Sequence, residues 1–331
     1  MQSKKISLVT GGAGFIGSHL VDLLISKNHE VRVLDDLSGG HEKNISHHYS
    51  NVNFKFENKN ICNLKNNENI FKDVNYIFHL AGRGDIVPSI ENPLEYFQIN
   101  NIGTIKILEN SRRSSVKKFV YAASSSCYGL ANIPTKEDFP IMPMYPYALS
   151  KYLGELSVFH WSKVYKVPVN SIRIFNAYGP RVKTTGVYGA VFGVFLKQKI
   201  SKKPFTIVGN GEQKRDFLYV SDVAEAFYLA ARSKIVNEIF NLGAGNPQKI
   251  NYLIKLLGGG QKVYLPKRPG EPEFTHANIN KIKKLLSWKP KVSFEKGVVK
   301  MLENIDYWKD APLWNEKKIK KATKDWFRFV G

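Results

Sequence analysis

A glycine-rich turn near the N-terminus constrains the fold of this 331-residue chain more than any other feature. The β-branched run Lys5–Thr10 precedes the turn, and an apolar-periodic segment follows it through about Lys27. Gly11, Gly14 and Gly17 stand at intervals of three residues. Such a strand–turn–helix unit allows a tight turn and lets a pyrophosphate approach the backbone closely. The helix N-terminus then supplies N–H donors and a partial positive charge to the phosphates.

An acidic residue at the end of the second predicted strand indicates which dinucleotide the turn binds. The strand is Glu30–Leu34, and Asp35 follows Gly17 by 18 residues. A carboxylate at this place accepts hydrogen bonds from an adenosine ribose and repels a 2′-phosphate. The pattern therefore favours NAD over NADP. The alternative is a turn that is rich in glycine only for packing.

Strands and helices alternate along the first half of the chain and lose this regularity after about Asn176. The alternation predicts an α/β fold, a Rossmann-type doubly wound parallel sheet with a smaller, mixed α/β C-terminal substrate lobe. We assign residues 1–175 and about 216–243 to the NAD-binding domain, and about 176–215 and 244–331 to the substrate lobe. The predicted elements include strands at Val52–Phe56, Tyr76–Leu80, Lys118–Ala123 and Val169–Phe175, and helices at Pro93 to about Arg113 and at Tyr147–Tyr165.

Near the C-terminus, Ile319, Ala322, Trp326 and Phe329 have helical spacing. This spacing predicts a helix that docks on the body of the protein.

Composition narrows the class of protein. No apolar run is long enough to span a membrane, and the N-terminus has no signal-peptide pattern, so we expect a cytoplasmic protein. Two cysteines and no zinc-type spacing predict neither a disulfide scaffold nor a metal site. The net charge is +21, but the lysines are scattered and do not alternate with aromatic residues, which disfavours nucleic acid as a partner. A positive field also attracts dianionic substrates such as nucleotide diphosphates.

A series of short motifs resembles the extended short-chain dehydrogenases/reductases, the branch that contains nucleotide-sugar epimerases and dehydratases. The chain carries TGGAGFIGSHL from Thr10, and seven further motifs follow in the family's order over more than 250 residues: HLAG from His79, SSSCYG from Ser124, YALSK from Tyr147, RIFNAYGPR from Arg173, RDFLYVSDV from Arg215, FNLGAG from Phe240 and RPGEP from Arg268. The resemblance implies bound NAD, a nucleotide-sugar substrate and a homodimer built through the helices at about 93–113 and 147–165.

Tyr147 and Lys151 are four residues apart on a predicted helix, so they share one face. A phenol is too weak an acid to act as a base at neutral pH, and we expect the Lys151 ammonium and the nicotinamide to lower the Tyr147 pKa. Tyr147 then takes a proton from a sugar hydroxyl, and Lys151 holds the nicotinamide ribose. Ser124, in the register that similar epimerases use, hydrogen-bonds the reacting oxygen.

Ser125 and Ser126 indicate which reaction of the family this chain carries out. In similar dehydratases these two positions hold an Asp–Glu pair that eliminates water, and in the related decarboxylases the second is usually Glu. Both are serine here. The absence of a carboxylate favours plain epimerisation. A 4-epimerase acting on a UDP-hexose, either glucose/galactose or the N-acetylhexosamines, is therefore the main hypothesis.

The resemblance also implies further contacts with the two ligands. Arg215 and Arg268 match two arginines that clamp the diphosphate, and the small Thr275 leaves room for a 2-N-acetyl group. The remaining predicted substrate contacts are Ser124, Ser125, Asn176, Arg181 and Tyr188, and the remaining predicted cofactor contacts are Phe15, Ile16, Asn60, Ile61, Leu80, Ala81 and Gly82.

Two departures and one arginine leave the sugar open. Asn60 stands where the family usually has an aspartate against the adenine amino group, and its side-chain oxygen can still accept. Asp85 stands where similar epimerases have a small residue beside the substrate. Arg181 can instead meet a sugar carboxylate, which keeps a UDP-glucuronate 4-epimerase as a second hypothesis. A decarboxylase, a dehydratase or 4-keto reductase, and a non-catalytic NAD-binding regulatory protein are also compatible with parts of the pattern.

Overall fold

Seven of the apolar runs pair as the strands of one parallel sheet in the computed structural model, which describes residues 4–182 and 191–330. The strand order is β3-β2-β1-β4-β5-β6-β11. The strands are β1 (Ile6–Thr10), β2 (Glu30–Asp35), β3 (Phe54–Asn58), β4 (Tyr76–His79), β5 (Lys118–Ser124), β6 (Val169–Ile174) and β11 (Glu238–Leu242). The order reverses between β1 and β4, and ligands of such sheets bind at this crevice, beyond the carboxyl ends of the strands. The predicted doubly wound α/β fold is confirmed.

Short strand pairs build most of the second lobe. β7 (Asn176–Tyr178) pairs in parallel with β10 (Phe217–Tyr219), and β8 (Phe205–Val208) with β13 (Lys262–Leu265). β9 (Lys214–Arg215) and β12 (Gln248–Lys249) are antiparallel.

The α-helices of the described residues are α1 (Phe15–Ser26), α2 (Ile86–Glu91), α3 (Pro93–Phe97), α4 (Thr104–Ser111), α5 (Pro146–Tyr165), α6 (Val191–Ile200), α7 (Val220–Arg232), α8 (Ile250–Leu256), α9 (Asn280–Leu286), α10 (Phe294–Glu303), α11 (Glu316–Ala322) and α12 (Lys324–Phe329).

Buried apolar side chains form separate cores on the two faces of the sheet and in the second lobe. One face of the sheet packs against α1 and α7, and the other packs against α4 and α5. Ala277, Ile282 and Trp288 also belong to the core of the α1 face. The segment around α9 therefore packs on the first lobe, although the sequence assigns it to the second. The predicted division into two domains otherwise stays a prediction.

Two predicted helices are interrupted. The run from Pro93 contains a π-helical stretch, Gln98–Gly103, between α3 and α4. The predicted C-terminal helix is two short helices, and Phe329 is 62% exposed although its spacing predicts a docked face. Ile319 and Trp326 are buried as that spacing predicts.

Within the described ranges, no helix has the length and apolar character that crossing a bilayer requires.

Candidate active site

A cavity of about 730 Å³ lies at the carboxyl ends of the central strands and is lined by both lobes. Its lining includes the glycine-rich turn after β1, the loop after β4, the end of β5 and the first turns of α5. The second lobe adds residues after β6, from β9 and from the loop at 268–275. These segments are far apart in sequence and meet because parallel strands end at the same edge of the sheet.

Main-chain contacts shape the glycine-rich turn. Gly11 has a φ of +70°, and a Cβ atom on it would lie 2.6 Å from the Ala81 nitrogen. A Cβ on Gly17 would lie 2.1 Å from the Gly11 carbonyl oxygen. Side chains are thus excluded at Gly11 and Gly17. Gly14, between them, is the N-cap residue of α1 and lines the cavity. An open turn at a helix N-terminus fits a pyrophosphate.

Asp35 connects the end of β2 to this turn. Its Oδ2 accepts the Ala13 N–H at 2.9 Å, and its Oδ1 accepts the Leu37 N–H at 2.8 Å. Burial raises the pKa of the carboxyl, and the two N–H donors oppose the change. Asp35 also lines the cavity, the place predicted for the adenosine ribose.

Asn60 is already committed to protein partners on the adenosine side of the cavity. Its Oδ1 accepts the Cys62 N–H at 2.8 Å, and its Nδ2 donates to Asp36 Oδ2 at 2.6 Å. The Asn60 oxygen thus caps a short turn and keeps a second lone pair, so its predicted contact with adenine stays a prediction. Asp36 lines the cavity beside it and was not predicted as a site residue. The other predicted cofactor contacts line the same cavity: Gly11, Gly14, Phe15, Ile16, Gly17, Ile61, Leu80, Ala81 and Gly82.

The structure brings Ser124, Tyr147 and Lys151 together in this cavity. Ser124 is the last residue of β5, and Tyr147 and Lys151 lie on successive turns of α5, which begins at Pro146. Proline suits this first helical position because its φ is preset and it has no N–H to leave unpaired. The end of β5 and the first turns of α5 thus place the hydroxyl of Ser124, the phenol of Tyr147 and the amine of Lys151 in the same cavity.

The pKa values of the phenol and the amine are dominated by burial. Burial raises the Tyr147 pKa, a hydrogen bond with Ser124 lowers it, and the charge of Asp85 raises it again. Burial lowers the pKa of Lys151 to about 7, and Glu155 opposes that change. Burial has these effects because loss of water disfavours the charged form of each group. In the protein alone, burial therefore outweighs the hydrogen bond that lowers the Tyr147 pKa, and the lowering expected from Lys151 together with the nicotinamide stays a prediction.

Lys151 is positioned by aromatic and backbone neighbours. Its Nζ lies 4.4 Å from the centroid of the Tyr121 ring, and the Tyr121 hydroxyl donates to the Lys151 carbonyl at 3.1 Å. A Cβ on Gly82 would lie 3.6 Å from the same Nζ. The amine therefore faces the loop that was predicted to bind the cofactor, as a ribose contact requires.

Asn100, in the π-helical stretch, is a buried residue that the sequence did not single out. Its amide donates to Ser150 Oγ at 2.9 Å and to the Arg83 carbonyl at 3.1 Å, and its Oδ1 accepts the Arg83 N–H at 2.8 Å. It thus joins α5 to the loop after β4. π-helical turns are frequent at functional sites, but nothing in the local sequence predicts this one.

Asp85 brings a negative charge to the catalytic group. It precedes α2 and lines the cavity. The charge of its carboxylate raises the pKa of both Tyr147 and the buried Tyr96, so it lies near these phenols. Its place beside the substrate, which the resemblance implies, stays a prediction.

The two predicted diphosphate arginines share one carboxylate. Arg215 Nη2 lies 2.8 Å from Glu271 Oε1, and Arg268 Nε lies 3.2 Å from Glu271 Oε2. All three side chains are at least half-buried and line the cavity. Two guanidinium groups converging on one site provide the forked donors that a diphosphate requires.

Asn176 and Thr275 are also brought together. The Thr275 hydroxyl donates to Asn176 Oδ1 at 2.7 Å and accepts the Asp216 N–H at 3.1 Å. The buried Asp216 carboxylate accepts the Ala277 N–H at 2.8 Å and so fixes the segment that carries Thr275. Both residues line the cavity, as does Ser125.

Arg181 is not among the described residues that line the cavity. Its Nη1 lies 2.7 Å from Asp22 Oδ2 on α1. Asp22 Oδ1 also contacts His47 and His48, and one ligand atom of each of these three residues lies within 4.8 Å of the others. Arg181 is thus held on α1 in this structure, and its predicted contact with the sugar stays a prediction. Tyr188 lies outside the described residues.

Comparison with known proteins places this arrangement in a family. The family model described as GDP-mannose 4,6 dehydratase matches residues 8–301. A UDP-N-acetylglucosamine 4-epimerase from Methanobrevibacter ruminantium, solved with UDP-N-acetylmuramic acid, is 32% identical, with a TM-score of 0.85 over 92% of this chain and 100% of that one. A UDP-glucuronic acid 4-epimerase from Bacillus cereus, solved with UDP-glucuronic acid and NAD, is 31% identical, with a TM-score of 0.85 over 92% and 99%.

A third solved structure is similar to the same extent. The UDP-glucose 4-epimerase from Thermotoga maritima, solved with UDP-glucose, is 34% identical, with a TM-score of 0.84 over 92% of this chain and 99% of that one. Family match, sequence identity and shared geometry lead to one conclusion. The chain belongs to the extended short-chain dehydrogenase/reductase family of NAD-dependent nucleotide-sugar epimerases and dehydratases.

Proposed function

We propose that this protein is a 4-epimerase that inverts C4 of a UDP-hexose, with NAD as its bound cofactor. The observation that carries the proposal is the single cavity that Ser124, Tyr147 and Lys151 share with the glycine-rich turn and with the pair Arg215 and Arg268. The three similar solved enzymes are named as 4-epimerases of UDP-sugars, and each was solved with a UDP-sugar.

The residues present fit NAD. The open turn at Gly14 suits the pyrophosphate, Asp35 suits an adenosine ribose, and Lys151 faces the loop where the second ribose would lie. When bound, NAD⁺ supplies a reversible hydride acceptor beside the sugar and a positive charge beside Tyr147.

Tyr147 is the base in the proposed reaction. Its phenolate removes the proton of the sugar 4-hydroxyl as C4 is oxidised to a ketone. Ser124 hydrogen-bonds the phenol in this structure and can donate to the same reacting oxygen. The proton returns from Tyr147 to that oxygen when C4 is reduced, so the protein ends each cycle in its starting protonation state.

Inversion requires the 4-keto sugar to present its other face to the same side of the cavity. The diphosphate must stay anchored while the sugar turns, and Arg215 and Arg268 converge where such an anchor is needed. Bidentate guanidinium contacts hold phosphate oxygens in a fixed orientation. The cavity walls around the sugar therefore decide which hexoses can turn.

Charge in the cavity favours a neutral sugar over a uronic acid. Asp85 lines the cavity near Tyr147, and its negative charge would repel a sugar carboxylate. Arg181, the cation predicted to attract that carboxylate, is paired with Asp22 instead. The small Thr275 side chain leaves room for an N-acetyl group, so the proposed substrates include both UDP-hexoses and UDP-N-acetylhexosamines.

The test is to incubate the protein separately with UDP-glucose, UDP-N-acetylglucosamine and UDP-glucuronate and to identify the products. We expect the 4-epimer, of unchanged mass, from one or both neutral sugars. Loss of 18 or 44 mass units would instead show dehydration or decarboxylation.

Tyr147→Phe should reduce turnover by about 10³-fold or more, because it removes the base, while the NAD content of the purified protein stays unchanged. Full activity of this variant would contradict the proposed mechanism.

We further propose a homodimer in the cytoplasm. The helical run from Pro93 and α5 pack together and expose apolar side chains, including Leu94 at 83%, Leu149 at 38% and Leu156 at 47%. Apolar side chains at adjacent places on two helices suit a second copy of the same face. Sedimentation of the wild type should give twice the chain mass, and Leu156→Asp should give monomers. A monomeric wild type would contradict the proposed dimer. Recovery of the protein in the membrane fraction would contradict the proposed location.

A further inference from the structure

The chain continues well past the segment that the family model matches, which ends at residue 301. The continuation contains α11 and α12, and its last turn packs against α2 of the first lobe. α2 begins directly after Asp85. The C-terminal segment, residues 316–330, therefore crosses from the second lobe to the mouth of the active-site cavity.

Trp326 is the residue of this segment that lines the cavity. It is 2% exposed and lines the cavity together with Arg268 and Tyr145. Its indole N–H donates to the Pro269 carbonyl at 2.7 Å, and the Arg268 guanidinium lies 5.3 Å from its ring. One side chain thus fixes both the backbone next to Arg268 and the guanidinium itself.

Aromatic rings connect Trp326 with the catalytic residue. The ring of Trp326 lies 5.9 Å from that of Tyr145, which lies 6.5 Å from the Tyr147 ring and nearly parallel to it. Val330 adds a contact at the same loop, since a Cβ on Gly270 would lie 3.1 Å from its Cγ1. The indole therefore lies next to both Arg268 and Tyr145, the residue whose ring stacks on Tyr147.

We propose that the C-terminal segment completes the substrate site, with Trp326 as a positioning residue that holds Arg268 and walls the sugar end of the cavity. This inference rests on the proposed function, because it takes Arg268 to bind the diphosphate of a UDP-sugar. An aromatic face beside a guanidinium limits the directions in which the guanidinium can point. Removal of the indole takes away the aromatic face beside the Arg268 guanidinium and opens the cavity to water.

The experiment compares Trp326→Ala and Trp326→Phe with the control Phe329→Ala, which changes an exposed ring on the same helix. UDP binding is measured by calorimetry, and KM and kcat are measured with the accepted UDP-sugar. For Trp326→Ala we expect about tenfold weaker UDP binding and a tenfold higher KM, with kcat changed less than threefold. Trp326→Phe keeps an aromatic ring beside Arg268 but loses the indole N–H. Its UDP affinity and KM should therefore lie between those of the wild type and those of Trp326→Ala. Phe329→Ala should match the wild type within twofold.

Wild-type UDP affinity in Trp326→Ala would overturn the inference, and so would an equal loss in Phe329→Ala, which would show a general effect of α12. If Trp326→Ala does not fold, Trp326→Phe provides the test. UDP binding that is at least twofold weaker than in the wild type supports the inference, and wild-type UDP affinity overturns it. A wild-type protein that binds UDP but inverts no sugar contradicts the proposed function alone, because UDP affinity still tests Trp326. A wild type that binds no UDP overturns both.

Discussion

The two sides of the cavity are built in different ways. The cofactor side is shaped by backbone: Gly11 and Gly17 have no room for a side chain, and Asp35 holds the turn through main-chain N–H groups. The substrate side is shaped by side chains, with Glu271 between Arg215 and Arg268. Backbone contacts keep one shape, whereas ion pairs can exchange partners with an incoming anion. The cofactor side is thus preformed, and on the substrate side Glu271 serves as the counter-ion of the two arginines.

The largest expected effect comes from breaking the cofactor side at Gly17. The added methyl of Gly17→Ala would lie 2.1 Å from the Gly11 carbonyl oxygen, so the turn or the start of α1 must move. We expect purified Gly17→Ala to lose its NAD almost completely, and its activity with it. Absorbance and enzymatic assay of the released cofactor measure this loss.

Gly193→Ala is the matched control on the substrate side. A Cβ at Gly193, in α6, would meet Trp308 at 3.6 Å, an ordinary contact distance. This variant should keep its NAD. Equal NAD content in all three proteins would contradict the idea that the absence of side chains at the turn is required.

A smaller effect is expected from breaking the substrate side at Arg215. Arg215→Ala removes one of two guanidinium groups and leaves Glu271 with Arg268 alone. A charged hydrogen bond contributes about 1.5–3 kcal/mol, so the KM for the UDP-sugar should rise by about 10- to 100-fold. NAD content should stay at the wild-type level.

Arg112→Ala provides the comparison for Arg215→Ala, because Arg112 pairs with Glu109 on the surface of α4, away from the cavity. It should leave KM unchanged. If Arg215→Ala lowers NAD content as strongly as it raises KM, the two sides of the cavity are not independent.

The smallest expected effect is a shift in the pH profile from Asp85→Asn. The Asp85 carboxylate raises the pKa of Tyr147 because it disfavours a second negative charge. Loss of that charge lowers the Tyr147 pKa, and the base is then ionised at lower pH. The rising limb of kcat/KM against pH should move to lower pH in Asp85→Asn. The exposed Asp73→Asn is the control, and an unmoved limb in both variants would show that Asp85 does not act on Tyr147.

Short sequence patterns predicted the fold and most of the cavity because they lie where parallel strands end. Thr10, His79 and Ser124 close three strands of one sheet, so the motifs that begin at them had to meet at the same edge. Arg215 and Arg268 were found only through resemblance to a family, since nothing local connects them.

The contacts that the sequence did not indicate have a different origin. The Arg181–Asp22 pair joins residues that are 159 positions apart, and Asn100 lies in a π-helical turn that has no local signature. Trp326 was predicted to be buried in a docked helix, which is confirmed, but its place at Arg268 was not foreseen. Helical spacing tells which face is buried and does not tell what that face meets.

The amino-acid sequence by itself determined the parallel sheet, the glycine-rich turn and the succession of serine, tyrosine and lysine. These depend on backbone freedom and on periodicity, which are local properties. Tertiary structure alone decided that burial raises the pKa of Tyr147 and lowers that of Lys151, that the charge of Asp85 acts on the phenol, and that the C-terminal segment returns to the cavity. Burial and charge proximity are properties of neighbours in space, and chain order does not specify those neighbours.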